Sequence, residues 1–391
     1  MKKAIAALLT MGLSVSLLAG CGSGKESATE AKTEAKTEAA TEAKTEAKTE
    51  AATEAKTEAK TEAATEAETE AKTESATEAK TEAAAEDKTE AANVDADKVY
   101  NIGICQLVQH DALDAATKGF KEALVEKLGE DHVKFDEQNA SGDSAACATI
   151  VNQFVSADVD LILANATASL QAAASATDKI PILGTSITDY ATALEIDDWN
   201  GTTGKNISGT ADLAPLAEQA AMLHELFPDA KTVGLLYCSA EANSAYQAQT
   251  IQKELEGFGY KCNTYTFADS NDIASVTNSA ISECEVLYVP TDNTAASNTE
   301  VINNICEPAG IPVIAGEEGI CKGCGVATLS ISYYDIGYKA GEMAYDILVN
   351  GADITTMAIE SAPNVTKEYI PSRCEALKIT PPDDYVAIET E

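Results

Sequence analysis

Basic residues are scarce in this 391-residue chain: 27 lysines and arginines stand against 64 aspartates and glutamates, a net charge of −37. That balance excludes a phosphate-backbone partner, because neutralising phosphates needs clustered Lys and Arg. Histidine is nearly absent as well, with only His110, His132 and His224. His224 falls inside a helical stretch and His132 just before a strand, leaving His110 alone near any strand end. No G-x-S-x-G, P-loop or dinucleotide glycine pattern accompanies it, so an enzyme is not expected. Aromatic residues make up 5% of the chain, with a single tryptophan. Stacked aromatic platforms of the kind that suit sugars are therefore hard to build.

Cysteine is present but unpatterned. Apart from Cys21 there are nine, an odd number that rules out a complete internal disulfide framework. Cys105, Cys238 and Cys284 fall in or beside strands, where a free thiol behaves as a small hydrophobe. Free thiols in an exported protein point weakly to an anaerobic habitat. Cys321-Lys-Gly-Cys324 has redox or metal spacing, yet no second C-x-x-C or H-x3-H exists to complete a zinc site. The pair reads as inert thiols or a local disulfide, and neither metal nor cofactor is expected.

What the chain does contain starts with a leader. Lys2 and Lys3 precede an apolar run, Ala4 to Leu18, too short for a permanent span, ending in Leu18-Ala19-Gly20-Cys21. This ending resembles the lipobox of bacterial lipoproteins, which implies a signal peptide over 1–20, lipidation at Cys21 and anchoring on the outer face of the cell membrane. Residues 25–92 are almost wholly Ala, Glu, Lys and Thr, and Thr-Glu-Ala-Lys recurs with a period of four. With no large apolar residue to pack, this repeat is read as a solvated stalk that completes a 21–92 spacer. It holds 10 basic and 19 acidic residues, and two lysines precede it, so the remaining 299 residues carry −30.

From Val99 onward short apolar strands alternate with amphipathic helices, the pattern of an α/β fold with parallel sheets. Strands are expected over 99–108, 133–138, 160–164 and 180–184, with helices over 111–128, 143–156 and 169–177. Ile207 to Asp212 reads as a crossover, after which the rhythm restarts. Helices are then expected over 213–226, 244–257, 273–282 and 294–309, and strands over 232–237, 261–267, 286–289 and 312–315. A strand over 327–332 and a long helix over 335–349 follow. Two such series imply two lobes, 93–210 with 330–350 and 211–329 with 351–391, each an open parallel sheet flanked by helices.

Open α/β sheets bind ligands at the carboxyl ends of their strands. In the first lobe those ends carry His110, Asn139 and Asp143, Asn165 and Thr167, then Ser186, Thr188 and Asp189. In the second they carry Glu241 and Asn243, Asp292 and Asn293, and Glu317. Hydroxyls and helix N-termini suit a carboxylate, and the second lobe's acids suit an ammonium. Together they describe a site for an α-amino acid, although each residue is equally a helix cap.

The segments His110-Asp-Ala-Leu-Asp-Ala115, Tyr288-Val-Pro-Thr-Asp-Asn-Thr294, Glu317-Glu-Gly319, Ser332-Tyr-Tyr-Asp-Ile-Gly337 and Lys378-Ile-Thr-Pro-Pro382 together resemble the tryptophan/tyrosine-type substrate-binding proteins of bacterial ABC importers. The resemblance covers Lys98 to Asp384. It implies a two-lobed, periplasmic-binding-protein-like fold that closes on a free, frequently aromatic amino acid and passes it to membrane permease subunits, working as a monomer. It implies carboxylate contacts from Asn165, Thr167, Ser186 and Thr188, and an ammonium contact from Asp292, Glu241 or Glu317. Cys238 departs from the family's pattern, as do Cys321 and Cys324. An apolar wall is expected from Tyr190, Tyr246, Tyr333, Tyr334 and Leu107, while Trp199 is a cleft lip or a surface anchor. A sugar-binding protein of the same architecture and a surface receptor or adhesin are the alternatives.

Overall fold

The computed structural model describes residues 98–362 and 364–389; the leader, Cys21 and the repeat lie outside them. The first lobe is built on β1 (Tyr100–Gln106), β2 (Val133–Asn139), β3 (Leu161–Asn165), β4 (Ile182–Ile187) and β5 (Ile207–Ala211). These alternate with α1 (Asp111–Leu128), α2 (Ser144–Ser156), α3 (Thr167–Ala176) and the short α4 (Tyr190–Ala193). β3 and β4 are buried at every position, as strands covered on both faces must be. The second lobe begins with α5 (Leu216–Leu226), β6 (Thr232–Cys238), α6 (Ala242–Gly257), β7 (Lys261–Phe267), α7 (Ile273–Ile281) and β8 (Val286–Val289). It continues through α8 (Asn293–Ala296), α9 (Thr299–Ala309), β9 (Val313–Ala315), α10 (Glu318–Cys324) and β10 (Ala327–Ser330). α11 (Tyr333–Leu348) and β11 (Glu360–Ser361) return to the first lobe, and β12 (Thr366–Tyr369), α12 (Pro371–Leu377) and β13 (Val386–Ala387) finish the second.

The sheets run β2-β1-β3-β4-β5-β11 and β7-β6-β8-β9-β10-β12-β13. The first is parallel throughout and the second parallel except where β10 meets β12. In both, the chain leaves a central strand first to one side and then to the other, and this reversal opens a crevice at the strand ends. Three crossings link the lobes, after Ala211, after Ser330 and after Ser361.

Several expectations need correction. Residues 207–212 are not a bare crossover, because Ile207–Ala211 pairs with β4 and extends the first sheet. Its alternation of small polar residues, Ser208, Gly209 and Thr210, conceals a strand that is fully buried up to its last residue. The helix expected over 294–309 is broken, since α8 ends at Ala296 and a new helix starts at Thr299. Cys321 and Cys324 sit on α10, a helix not anticipated because Gly319 and Gly323 weaken its pattern. Residues 351–361, assigned to the second lobe, end in β11, which pairs with β5 of the first.

The return of α11 to the first lobe rests on bare backbone. A Cβ added at Gly337 would fall 2.0 Å from the Ala116 carbonyl oxygen, and one at Gly119 2.2 Å from that of Tyr334. Side chains cannot be accommodated where two helix backbones touch, so glycine here is a packing requirement. Gly337→Ala is expected to lower stability by about 1–3 kcal/mol, read as a drop of several degrees in the thermal midpoint. Gly257→Ala, at the end of α6 with nothing within 4 Å of the added carbon, should leave the midpoint nearly unchanged.

Candidate functional site

The two sets of strand ends face each other across the interlobe cleft and enclose two adjoining cavities. The inner one, about 10 Å3, is bordered by His110, Ser186, Thr188 and Asp212 from the first lobe and its crossing, and by Asn243, Asp292, Asn293 and Glu317 from the second, with Tyr333 beside them. The outer one, about 300 Å3, shares Asn243 and Asn293 with it and runs out between Leu107, Val108, Thr167 and Ala168 on one side and Ala240, Glu241 and Ala268 on the other. The lobes are drawn together here. His110 Nε2 lies 3.2 Å from Asn293 Oδ1, and Gln247 Nε2 donates to Thr188 Oγ1 at 3.4 Å.

The inner cavity is lined by three carboxyls and no Lys or Arg. Asp292 is 1% exposed and accepts from the backbone N–H groups of Cys238 and Ala295, both at 2.7 Å. Burial, followed by the neighbouring Glu241 charge, pushes its carboxyl up to about 8. Glu317 caps α10 through the N–H groups of Gly319 and Ile320, and burial raises it to about 7. Asp212 accepts from the Tyr333 hydroxyl at 2.8 Å on Oδ2, while Oδ1 is buried without a partner. Burial raises its carboxyl too. His110 Nδ1 and Ser186 Oγ are likewise buried and unpartnered, and burial lowers the His110 imidazole, favouring its neutral form. Orphaned polar atoms are rare in folded chains, and three of them border this one cavity.

The structure brings together His110, Ser186, Thr188, Asn243, Asp292, Asn293 and Glu317 at the inner cavity. It places Asp143, Thr167 and Glu241 at the outer one. Asn139, Asn165 and Asp189 line neither. Asn139 holds the turn at Ser141, Asp189 caps α4, and Asn165 donates beneath α1 to the Leu113 carbonyl and to Thr117. Glu241 accepts from five donors on Asn293, Thr294 and Asn243, so it fixes the start of α8.

Of the expected apolar wall, Leu107 and Tyr333 border the cavities and Tyr190, Tyr246 and Tyr334 do not. Tyr190 is buried under β5, where its hydroxyl donates to the Thr210 carbonyl. Tyr334 instead donates to Glu122 on α1. Trp199, 38% exposed, stacks against Tyr190 with ring centroids 6.5 Å apart. Asp212 was missed because its strand was. Once Ile207–Ala211 is read as β5, the strand-end rule delivers the residue directly.

The chain matches the family described as ABC transporter substrate binding protein over residues 101–387. It is 36% identical over 269 residues to a tyrosine-binding protein of Clostridioides difficile, covering 67% of this chain and 78% of that one. Its fold overlays on an ABC domain from Streptococcus pneumonia in complex with L-Trp with a TM-score of 0.70 at 30% identity, covering 73% and 97% of the two chains. The ligand-free, open structure of a Clostridium difficile substrate-binding protein with adhesive properties is 34% identical, covers 75% of this chain and 100% of that one, and overlays less well, at 0.59. The lower score against the open form fits lobes that are in contact here. With two parallel-sheet lobes closing on a polar cleft and a family match across nearly all of them, the chain belongs to the ABC transporter substrate-binding proteins.

Proposed function

We propose that this protein captures a free L-amino acid with an aromatic side chain between its lobes and delivers it to the permease subunits of an ABC importer. One observation carries the amino-acid reading: Asp212, Asp292 and Glu317 converge on a buried cavity that no cationic side chain lines. Burying carboxyls without a counter-charge costs several kcal/mol if they ionise, and a ligand ammonium supplies that charge. Asp212 Oδ1, which has no partner, is its natural first contact, with Asp292 as the second: Asp292 and Glu317 both cap helices, but burial and the adjacent Glu241 charge push Asp292 further up, and Glu241 itself is saturated.

The ligand carboxylate has no arginine to meet. Arg373, the only arginine in the sequence, donates to four backbone carbonyls at the end of α10. Ser186 Oγ, Thr188 and the N-terminus of α3 at Thr167 and Ala168 supply the neutral donors such a group needs. The side chain then lies toward the outer cavity, whose volume is at the lower end of small-molecule sites. Its apolar wall of Leu107, Val108, Ala168, Ala240, Ala242 and Ala268 suits a ring. That the ring is aromatic rests on the relatives, one described as tyrosine-binding and one holding L-Trp.

The inner cavity admits roughly a single water, so the ligand enters an opened cleft and is retained by closure. The lipobox-like Leu18-Ala19-Gly20-Cys21 and the repeat support a domain held outside the cytoplasm by a lipid anchor at Cys21 and a spacer, and the reading takes it to act as a monomer. A receptor or adhesin role shares this fold, and the relative with adhesive properties keeps it in view.

A thermal-shift screen of the twenty amino acids and common sugars is expected to show the largest stabilisation with an aromatic L-amino acid. A sugar hit, or no shift with any amino acid, overturns the reading. Asp292→Ala and Asp212→Asn should each weaken that ligand by about 2–4 kcal/mol, roughly 30- to 1,000-fold, while leaving the circular dichroism spectrum intact. Unchanged affinity in both variants would mean the ammonium is held elsewhere.

Protonation provides a third check. The folded, unliganded chain binds the Asp292 proton more tightly than the unfolded chain does. This group's contribution to stability therefore falls as pH rises from 3.8 through about 8. An ammonium beside it reverses the shift, so binding at neutral pH should release up to about one proton. Calorimetry in buffers of different ionisation enthalpy measures that release, and Asp292→Asn should reduce it.

A further inference from the structure

Cys105 and Cys147 meet in the core of the first lobe, away from the carboxyls of the cleft. Cys105 is the sixth residue of β1, and Cys147 sits in the first turns of α2, which packs over that strand. Both sulfurs lie within reach of the same Ser169 hydroxyl, at 3.6 and 3.5 Å, which makes the two thiols neighbours. All three residues are fully buried. Among the described residues no other hydroxyl bridges two thiols; Cys321 and Cys324 share α10, and there Cys324 donates back to the Ile320 carbonyl.

Each of the three elements that meet at this point also leads to the wall of the outer cavity: β1 through Leu107 and Val108, which directly follow it, α2 through its cap Asp143 and Ser144, and α3 through Thr167 and Ala168. We propose that Cys105 and Cys147 form a peroxide-oxidisable dithiol whose disulfide ties α2 to β1 directly behind the ligand cleft.

The chemistry balances with a hydroperoxide as the oxidant. One thiolate attacks a peroxide oxygen, its sulfur becoming a sulfenic acid as the O–O bond breaks and the second oxygen leaves as water. The partner sulfur then attacks the sulfenic sulfur, the S–O bond breaks, and the hydroxyl departs as a second water. The two sulfurs together lose two electrons and hydrogen peroxide gains them. Cys147 is the thiol suited to the first attack, because the neighbouring Cys105 thiol holds it down to about 7. Its contact with Cys147, followed by burial, pushes the Cys105 thiol far up, so it stays protonated until the second step and gives its proton to the departing hydroxyl as its sulfur attacks the sulfenic sulfur. Hydrogen peroxide is little larger than a water molecule, whereas bulky disulfide donors are excluded from a fully buried pair.

The test is peptide mapping of the purified full-length chain after stoichiometric hydrogen peroxide, with alkylation before digestion. The expected product is a Cys105–Cys147 crosslink in the folded protein, with the other thiols still alkylated and the link reversed by a thiol reductant. Because the bridge closes a loop between positions 105 and 147, the oxidised chain should unfold about 5 °C higher than the reduced one, and Cys147→Ser should abolish that shift. Alkylation of both cysteines after peroxide treatment would overturn the proposal, as would a crosslink to any other cysteine or conversion of Cys147 to the sulfinic acid. The mapping needs no variant, so it stands even if Cys147→Ser folds poorly.

Discussion

Carboxyls buried between two lobes without a cation are the constraint around which the rest of this structure is arranged. Asp212, Asp292 and Glu317 border one small cavity whose lining holds neither lysine nor arginine, and burial raises all three. An isolated domain selected only for stability gains nothing from this, since replacing such groups with apolar ones is commonly neutral or stabilising. The arrangement is reasonable for a protein whose bound state supplies the missing positive charge. It also explains why a strongly acidic domain can be selective: most of the −30 lies on the surface, and the few charges that matter are withdrawn from water.

The fold places these groups by two local devices. Helix-capping geometry fixes Asp292 and Glu317, whose oxygens accept from N–H groups at the starts of α8 and α10. Asp212 is placed differently. It follows β5 at the first crossing between lobes, and it is held by the hydroxyl of Tyr333, which follows the second crossing. A charge that docks on Asp212 therefore acts on two of the three hinge strands at once, a direct route from ligand binding to lobe closure. The backbone contact between α1 and α11 fixes the helix that follows the second crossing firmly to the first lobe.

Much of the scaffold was legible in the sequence because its signals are periodic. The 18-residue α1, the buried runs of β3 and β8 and the restart after residue 212 all follow from apolar spacing. What stayed hidden had weak patterns. β5 is a strand of small polar residues whose burial comes from its neighbours, and α10 contains two glycines. At the site, strand-end logic found Asp292, Ser186 and Thr188, but it could not distinguish a residue that faces the cavity from one that only caps a helix. Asn139 and Asp189 proved to be of the second kind, and Glu241, although at the outer cavity, is saturated by its own lobe. Asn165 points beneath α1, because its amide is needed to satisfy the Leu113 carbonyl. The tyrosines were similarly ambiguous: a ring near a strand end is as readily core, like Tyr190, as cleft wall.

An ammonium held by Asp212 and Asp292 is the interaction on which this reading of the cleft turns. The most direct measurement is a calorimetric comparison of an aromatic L-amino acid with its des-amino analogue, which keeps the ring and the carboxylate and lacks only the positive charge. Removing the amino group should weaken binding by about 100-fold or more. Comparable affinities for the two compounds would contradict it.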